Sequence, residues 1–263
     1  MSRYSIETLE RGLSVLSLFS NDTSELTLTE ISRSADINMT TSLRIASTLE
    51  GAGYLRRDPE TKRYRPSIKV LQLGFSALRS MDIRQSARPY LERLSKETGE
   101  TVSLAVLDGL EIVYVDRIRN RQIVGVVLGM GSRLPAHCTS MGKAMLAYLP
   151  EDQLKTRLNG AELAACTGNT IVEIDSLAAD LAKVRRKGYA INNQELAVGL
   201  RAVAAPIWGE HGQVVAAINI SGSTETISRS SLKQELVPLL SVTASEISQS
   251  LGFMDGNTSG DAR

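Results

Sequence analysis

Two helix starts in close succession constrain this chain more than any other feature. Thr27 with Glu30 three residues on is a capping-box signature ahead of the apolar positions Leu28, Ile31 and Ala35. That helix is short and stops near Ala35-Asp36-Ile37. Asn38, a favourable N-cap, then opens another that runs through Leu43, Ile45, Ala46 and Leu49 to Gly51 and Gly53. Ahead of both, residues 5–20 place Ile6, Leu9, Leu13, Leu16 and Phe19 along one helical stripe. Two short helices joined by a tight turn, behind a supporting helix, form a helix-turn-helix.

The segment Tyr54–Pro66 has two extended arms flanking Asp58-Pro59-Glu60, a turn sequence. Its charges are mostly positive: Arg56, Arg57, Lys62, Arg63 and Arg65 against Asp58 and Glu60. A charged hairpin alone is commonly just solvated surface. Directly behind a helix-turn-helix it reads as a wing, so the expected unit is a winged helix. The N-terminal half of a recognition helix enters the major groove, which nominates Asn38, Met39, Thr40, Thr41 and Arg44. Arg44 suits a guanine edge or a phosphate, and the sequence leaves that choice open. Arg56, Lys62, Arg63 and Arg65 of the wing should contact phosphates, adding salt-dependent affinity more than base discrimination.

Behind the wing, Ser67 can cap a helix carrying Ile68, Leu71, Phe75 and Leu78 at coiled-coil-like spacing. It would link two domains and offer a seam to a second copy, because a symmetric operator needs two recognition helices about one DNA turn apart. From Ile83 the pattern changes. A helix ending at Gly99 is followed by two β-rich runs around Asp108-Gly109, the clearest short hairpin signal in the chain. Helices are expected near Thr139–Leu149 and Ser176–Lys187, strands near Tyr189–Asn192, Leu200–Pro206 and Val214–Ser221, and a last helix through Leu232, Leu239 and Leu251. The fold class is α+β, an antiparallel sheet covered by helices. The expected organisation is a winged helix over 1–66, a linker helix over 67–81, a second domain over 82–254 and a disordered polar tail over 255–263.

Composition narrows the function. At 263 residues with 42% hydrophobic and 22% charged side chains, the chain can bury a real core in two unequal domains. No apolar run approaches the ~20 residues of a membrane span, and the N-terminus lacks a signal-peptide pattern. Its two cysteines make no disulfide framework, so a cytoplasmic location is expected. Net charge of +1 leaves the placement of positive charge to decide about nucleic acid.

Catalysis and metal binding find little support. The reactive candidates are Cys138, Cys166, Lys143, His137 and His211. His137 and Cys138, read as neighbours on an extended segment, would point apart, and no HExxH, CxxC, Gly-rich phosphate loop or nucleophile elbow is present. No cofactor and no metal are expected. A binding pocket is better supported: Arg133–Ala147 places Thr139 and Ser140 as N-caps ahead of Gly142, and free amides at a helix start suit a carboxylate.

Taken together, the segments resemble the IclR family of bacterial regulators over nearly the whole chain. The resemblance rests on SIETLERGLSVLSLF, LTLTEISRSADINMTTSLRIASTLEGAGYLRRD, RLPAHCTSMGKAMLA, GYAINNQELAVGLRAVAAPI and AAINISG, in that order. It implies a winged helix, a linker helix and a GAF/PAS-like effector domain. It implies homodimers, commonly paired as tetramers, on double-stranded operator DNA. It implies an effector site at Ser140, Met141, Asn192, Ala202, Asn219 and Ser221. Members that take very small keto acids tend to carry Asp, Cys and Ser where this chain has Asn192, Ala202 and Asn219, and Ala in place of Met141. The CTSMGK form is similar to that of members controlling aromatic-compound catabolism, so an aromatic acid or a derivative is the expected effector. Effector and operator would be coupled by linkage. Three rivals remain at this point: a redox-sensing regulator of the same fold using Cys138 or Cys166, a catalytically active effector-type domain, and a winged helix used for protein contacts.

Overall fold

The computed structural model describes residues 5–19, 23–79, 82–119 and 128–254, the side chains of 75–82 excepted. The chain divides into two compact units, Met1–Met81 and Asp82–Arg263.

The first unit contains α1 (Glu7–Ser17), α2 (Leu28–Ser34), α3 (Met39–Gly51), the strands β1 (Leu55–Arg57) and β2 (Tyr64–Pro66), and α4 (Lys69–Arg79). The local chemistry accounts for these boundaries. The Thr27 hydroxyl accepts from the Glu30 amide at 3.2 Å while the Glu30 carboxylate accepts from the Thr27 amide at 2.7 Å, so the capping box is complete. Between α2 and α3 the chain turns through Asp36 at φ 51°, a left-handed position that Asp tolerates. Asn38 then caps α3 by accepting from the Thr41 amide at 2.9 Å. The wing pairs Leu55 with Pro66 and Arg57 with Tyr64, and Asp58 closes its turn by accepting from the Glu60 and Thr61 amides. The core is Val15, Leu26, Ile31, Ile45, Ala46, Leu55 and Tyr64.

The stripe expected on α1 is buried only at one end. Val15 is fully buried and Leu16 and Phe19 pack beside it, whereas Ile6, Leu9 and Leu13 are more than half exposed. On α4, Leu71 and Leu73 are also exposed, as is Ile68 just before it; the side chains of Phe75 and Leu78, and the tail 255–263, lie outside the described residues.

In the second unit the described strands form one antiparallel sheet of order β5-β4-β3-β8-β7-β6. These are β3 (Thr101–Asp108), β4 (Glu111–Ile118), β5 (Arg133–Pro135), β6 (Ala190–Asn193), β7 (Leu200–Trp208) and β8 (Val214–Ser223). Helices α5 (Asp82–Thr98) and α10 (Val237–Ser250) pack on the sheet, while α6 (Ser140–Leu146) covers Ala105, Ala190, Ala204 and Ala217 together with α8 (Ile174–Lys187). The small residues on that face let α6 sit close, and at Gly142 they leave no choice. A Cβ there would lie 2.2 Å from the Ala136 carbonyl oxygen, so only glycine fits. Helix α7 (Glu151–Leu158), the short strand β5, the single turn α9 (Arg229–Ser231) and the π-turn over Leu232–Leu236 complete the unit.

Candidate DNA interface and effector pocket

The solvent face of α3 presents Met39, Thr40, Leu43 and Arg44, while Ile45 and Ala46 anchor the helix from behind. Met39 and Leu43 are each 45% exposed, giving the helix an apolar strip suited to thymine methyls beside a guanidinium suited to guanine or phosphate. The candidates are not equivalent. Asn38 is exposed, but its side-chain oxygen is spent on the cap. Thr41 is half-buried, Thr40 and Arg44 exposed. On the wing, Arg56 is exposed, whereas Arg63 donates to the Glu25 carbonyl at 3.2 Å and the Glu30 carboxylate at 3.3 Å. Lys62 folds its ammonium onto the Pro59 carbonyl at 2.6 Å, and Arg65 lies 3.9 Å from Glu25. Arg57, which stacks over the Tyr64 ring at 5.4 Å, completes the basic face.

In the second unit, strand register builds a polar floor under α6. Directly opposed residues share a face of a sheet, so Arg117, Ser103, Asn219, Ala204 and Ala190 form one row across β4, β3, β8, β7 and β6. Thr101, Ser221, Ala202 and Asn192 form the next. Ser140, Met141, Asn192, Ala202, Asn219 and Ser221 all line one cavity of about 30 Å³ with Tyr114, Arg117, Leu128, Thr139, Leu196 and Leu200. That is room for water and far below the ~300 Å³ or more of an occupied ligand pocket.

The polar atoms around this cavity fall into two groups. Some are committed: Asn192 donates to the Cys138 carbonyl at 2.6 Å and accepts from the Glu195 amide at 3.1 Å, tying β6 to the start of α6. Thr139 caps α6 by accepting from the Gly142 amide at 3.2 Å; the Ser140 and Met141 amides stand in the first turn, where no intrahelical acceptor exists. Others are free. Asn219 Oδ1 and Arg117 Nε and Nη1 are buried with no hydrogen-bond partner among the described residues. Burial, above all, pushes the Tyr114 phenol up to about 12, with the Arg117 charge opposing, so Tyr114 stays neutral and able to donate. Lys143, 2% exposed, supports the site from behind by donating to both Glu195 oxygens at 2.9 and 2.8 Å and to Asp180 at 3.1 Å.

Reading the sequence missed Arg117 and Tyr114, and the reason is geometric. The β3–β4 register shifts between Leu104 and Ala105, which leaves Val115 as an extra residue between the paired positions Tyr114 and Asp116. Tyr114 and Arg117, three apart, therefore share the pocket face. Asp116 points the other way and takes Arg88 at 3.0 Å and Arg84 at 3.5 Å.

The reactive residues are placed differently from the reading of an extended 137–138 segment. His137 and Cys138 lie in a turn, not a strand. They still do not pair: His137 Nε2 meets the Ala164 carbonyl at 3.0 Å, and Cys138 Sγ lies 3.6 Å from Cys166 Sγ. Burial first, and then the Cys166 contact, raise the Cys138 thiol well above its ordinary value. A redox sensor needs the opposite shift, and the nearby ammonium of Lys143 is held by carboxylates. Among the described residues no cluster of metal-ligating side chains occurs, and no helix is long and apolar enough to cross a membrane.

Comparison with known proteins agrees with this arrangement. Residues 8–59 match the IclR helix-turn-helix domain and residues 75–249 match the domain described as bacterial transcriptional regulator IclR C-terminal. The chain is 38% identical to the Pca regulon regulatory protein of Pseudomonas putida, over 89% of this chain and 80% of that protein. It is 35% identical to the HTH-type transcriptional regulator XynR of Escherichia coli, over 84% and 88%. Among solved structures, a transcriptional regulator from a Rhodococcus species superposes with a TM-score of 0.78 at 38% identity, covering 94% of this chain and 98% of that one. An IclR homologue from Microbacterium hydrocarbonoxydans, complexed with 4-hydroxybenzoate, superposes with a TM-score of 0.78 at 25% identity, covering 93% and 98%. These regulators are DNA-binding proteins with an effector-binding C-terminal domain and are not enzymes. With a capped helix-turn-helix and a polar-floored cavity under a short helix, this chain belongs to the IclR family of bacterial transcriptional regulators.

Proposed function

We propose that the chain is a cytoplasmic regulator whose dimer, or dimer of dimers, holds operator DNA through α3 and the wing and is controlled by an aromatic carboxylate in the cavity under α6. The observation that carries this reading is the cavity. It has a polar floor at Asn219 and Ser221 and is walled by Met141, Leu196 and Leu200, which suit a ring. The contact set is Ser140, Met141, Asn192, Ala202, Asn219 and Ser221, with Asn192 and Ala202 shaping the wall and Asn219 free to bond. That one homologue is complexed with 4-hydroxybenzoate and another relative is named for the Pca regulon supports the aromatic class.

The cavity of about 30 Å³ would have to widen to admit a ring, so the effector would favour a more open arrangement. A ligand shifts an equilibrium only through such differential affinity. Met141, unbranched and adaptable, is suited to yield. A coupling of ~1–3 kcal/mol between the two sites would change operator affinity about 5–150-fold.

On α3, Arg44 carries the DNA contact, Thr40 and Met39 contribute van der Waals and hydroxyl contacts, and Asn38 and Thr41 hold the helix start. Among wing cations Arg56 is the freest, and Arg63, Arg65 and Lys62 reach phosphate by releasing weak surface contacts. The exposed apolar residues Ile6, Leu9 and Leu13 of α1 and Ile68 and Leu71 at α4 are proposed to be covered by the second copy. Fluorescence anisotropy with the DNA upstream of the chain's own gene tests the reading. Arg44→Ala is expected to lose operator binding with unchanged circular dichroism, and normal affinity in that variant would sink the assignment.

A further inference from the structure

Among the described residues that line the cavity, Arg117 is the one cationic side chain and none is an acid. Its Nε and Nη1 are buried without an acceptor among the described residues. Asp116, next in sequence, faces the opposite side of the sheet and is held by Arg84 and Arg88. On the cavity side Arg117 meets the Tyr114 ring, 5.8 Å away, and the hydroxyl-bearing Ser103 across the strand pair. Burial, above all, pushes the Arg117 guanidinium down from its ordinary value, with Tyr114 opposing and the Arg119 charge adding to the fall. A guanidinium stays charged in proteins, so the site holds an uncompensated, partly desolvated positive charge. In the same row, on the far side of Ser103, Asn219 Oδ1 is a buried acceptor with no donor among the described residues.

From this geometry we infer that Arg117, on the sheet, is the residue that binds the effector's acidic group, and that the effector carries a hydroxyl donor for Asn219: a hydroxylated carboxylic acid. The inference rests on the effector-pocket reading above, and narrows it. A neutral ligand would leave both Arg117 nitrogens unpaired and the charge buried, whereas a carboxylate forms short charge-assisted bonds to a guanidinium. A ligand lacking the hydroxyl would leave the Asn219 oxygen without a donor.

The same reasoning fixes an unusual sign. Arg117 is a half-buried charge whose Nε and Nη1 meet no acceptor among the described residues, so replacing it by an apolar chain of similar length removes a penalty. Arg117→Met is expected to unfold at higher urea than the parent when no ligand is present, and to lose ligand-induced stabilisation. A residue kept for structure alone would show the reverse.

The test uses the full chain and titration calorimetry with matched probes: 4-hydroxybenzoate, benzoate, 4-hydroxybenzamide and the aliphatic acids adipate and 6-hydroxyhexanoate. The parent is expected to prefer an acid to its amide by about 30-fold or more, the scale for truncating one member of a buried charge pair. Arg117→Met should erase that preference and Arg117→Lys should restore part of it. Asn219→Leu should erase the preference for the hydroxylated acid over benzoate. The assignment is overturned if Arg117→Met keeps acid affinity within threefold of the parent, if the parent binds the amide as well as the acid, or if it binds no acid of the panel at millimolar concentration. Binding of aliphatic acids only, lost in Arg117→Met, would uphold Arg117 and refute the aromatic reading. Aromatic binding that survives in Arg117→Met would do the opposite.

Discussion

Replacing Lys143 by methionine should be among the most destabilising single changes in the second unit. The ammonium is 2% exposed and bonds both oxygens of Glu195, itself 10% exposed, at 2.9 and 2.8 Å, with Asp180 at 3.1 Å. Methionine preserves the volume of the stem and deletes only the charge. What remains is the Glu195 carboxylate, buried without its cation and with Asp180 nearby to repel it. Breaking such a pair by removing one partner costs about 3–5 kcal/mol. With an m-value of ~2 kcal/mol/M in urea, the midpoint should fall by about 1.5–2.5 M. The chain supplies its own probe: its only tryptophan, Trp208, sits at the end of β7 between Tyr148 and Phe253, with ring centroids 4.8 and 5.8 Å away. Urea unfolding followed by Trp208 fluorescence therefore reads the second unit alone. Replacing both partners, Lys143→Met with Glu195→Leu, should recover most of the loss, because the orphaned carboxylate is gone. A midpoint shift under 0.5 M in the single variant (against the ~1.5 M or more expected), or a double variant no better than the single, would refute the view that a buried ion cluster holds α6 over the pocket.

Gly142→Ala forces a Cβ to within 2.2 Å of the Ala136 carbonyl oxygen; backbone must move, so a loss of about 3 kcal/mol or more by Trp208 fluorescence is expected, with effector stabilisation abolished. Leu9→Glu places a charge on the exposed apolar face of α1 and should turn dimers into monomers by sedimentation while the helices persist by circular dichroism; an unchanged dimer would exclude this face. Hydrogen bonds from Thr27, backbone first, hold the Glu30 carboxyl below its ordinary value of 4.5. Its contribution is therefore present above that value and lost as pH falls through the lowered one. The stability difference between the parent and Glu30→Gln should accordingly be level above pH 5 and shrink below 4.5; a difference that persists at pH 2 would contradict the capping role.

What could be read from the sequence was local. Thr27, Glu30 and Asn38 announce their helices within three residues, and the structure shows each cap bond. Asp108-Gly109 likewise announces the β3–β4 hairpin. What could not be read depends on pairing across the chain. The bulge at Val115 reverses which side chains of β4 face α6, and nothing local distinguishes Arg117 from a solvated arginine. Lys143 finds its carboxylates 37 and 52 residues away, and the Cys138–Cys166 contact spans 28. The α1 stripe has the right period for burial, yet periodicity says which residues share a face and not what covers it. Ile6, Leu9 and Leu13 lie beyond the reach of the small core around Val15. Asn219 and Ser221, named from the family resemblance, share one face because β8 runs without a shift against β3.

The central claim is that one chain couples duplex binding to occupancy of the cavity under α6. The direct measurement is anisotropy of labelled upstream DNA against full-length protein, from 50 to 200 mM salt, with and without a saturating acid identified by calorimetry. Binding is expected with a log affinity that falls linearly with log salt, and with a shift of about 5–150-fold, of either sign, when the acid is present. No binding at 50 mM salt, or identical curves with the cavity filled, would contradict it.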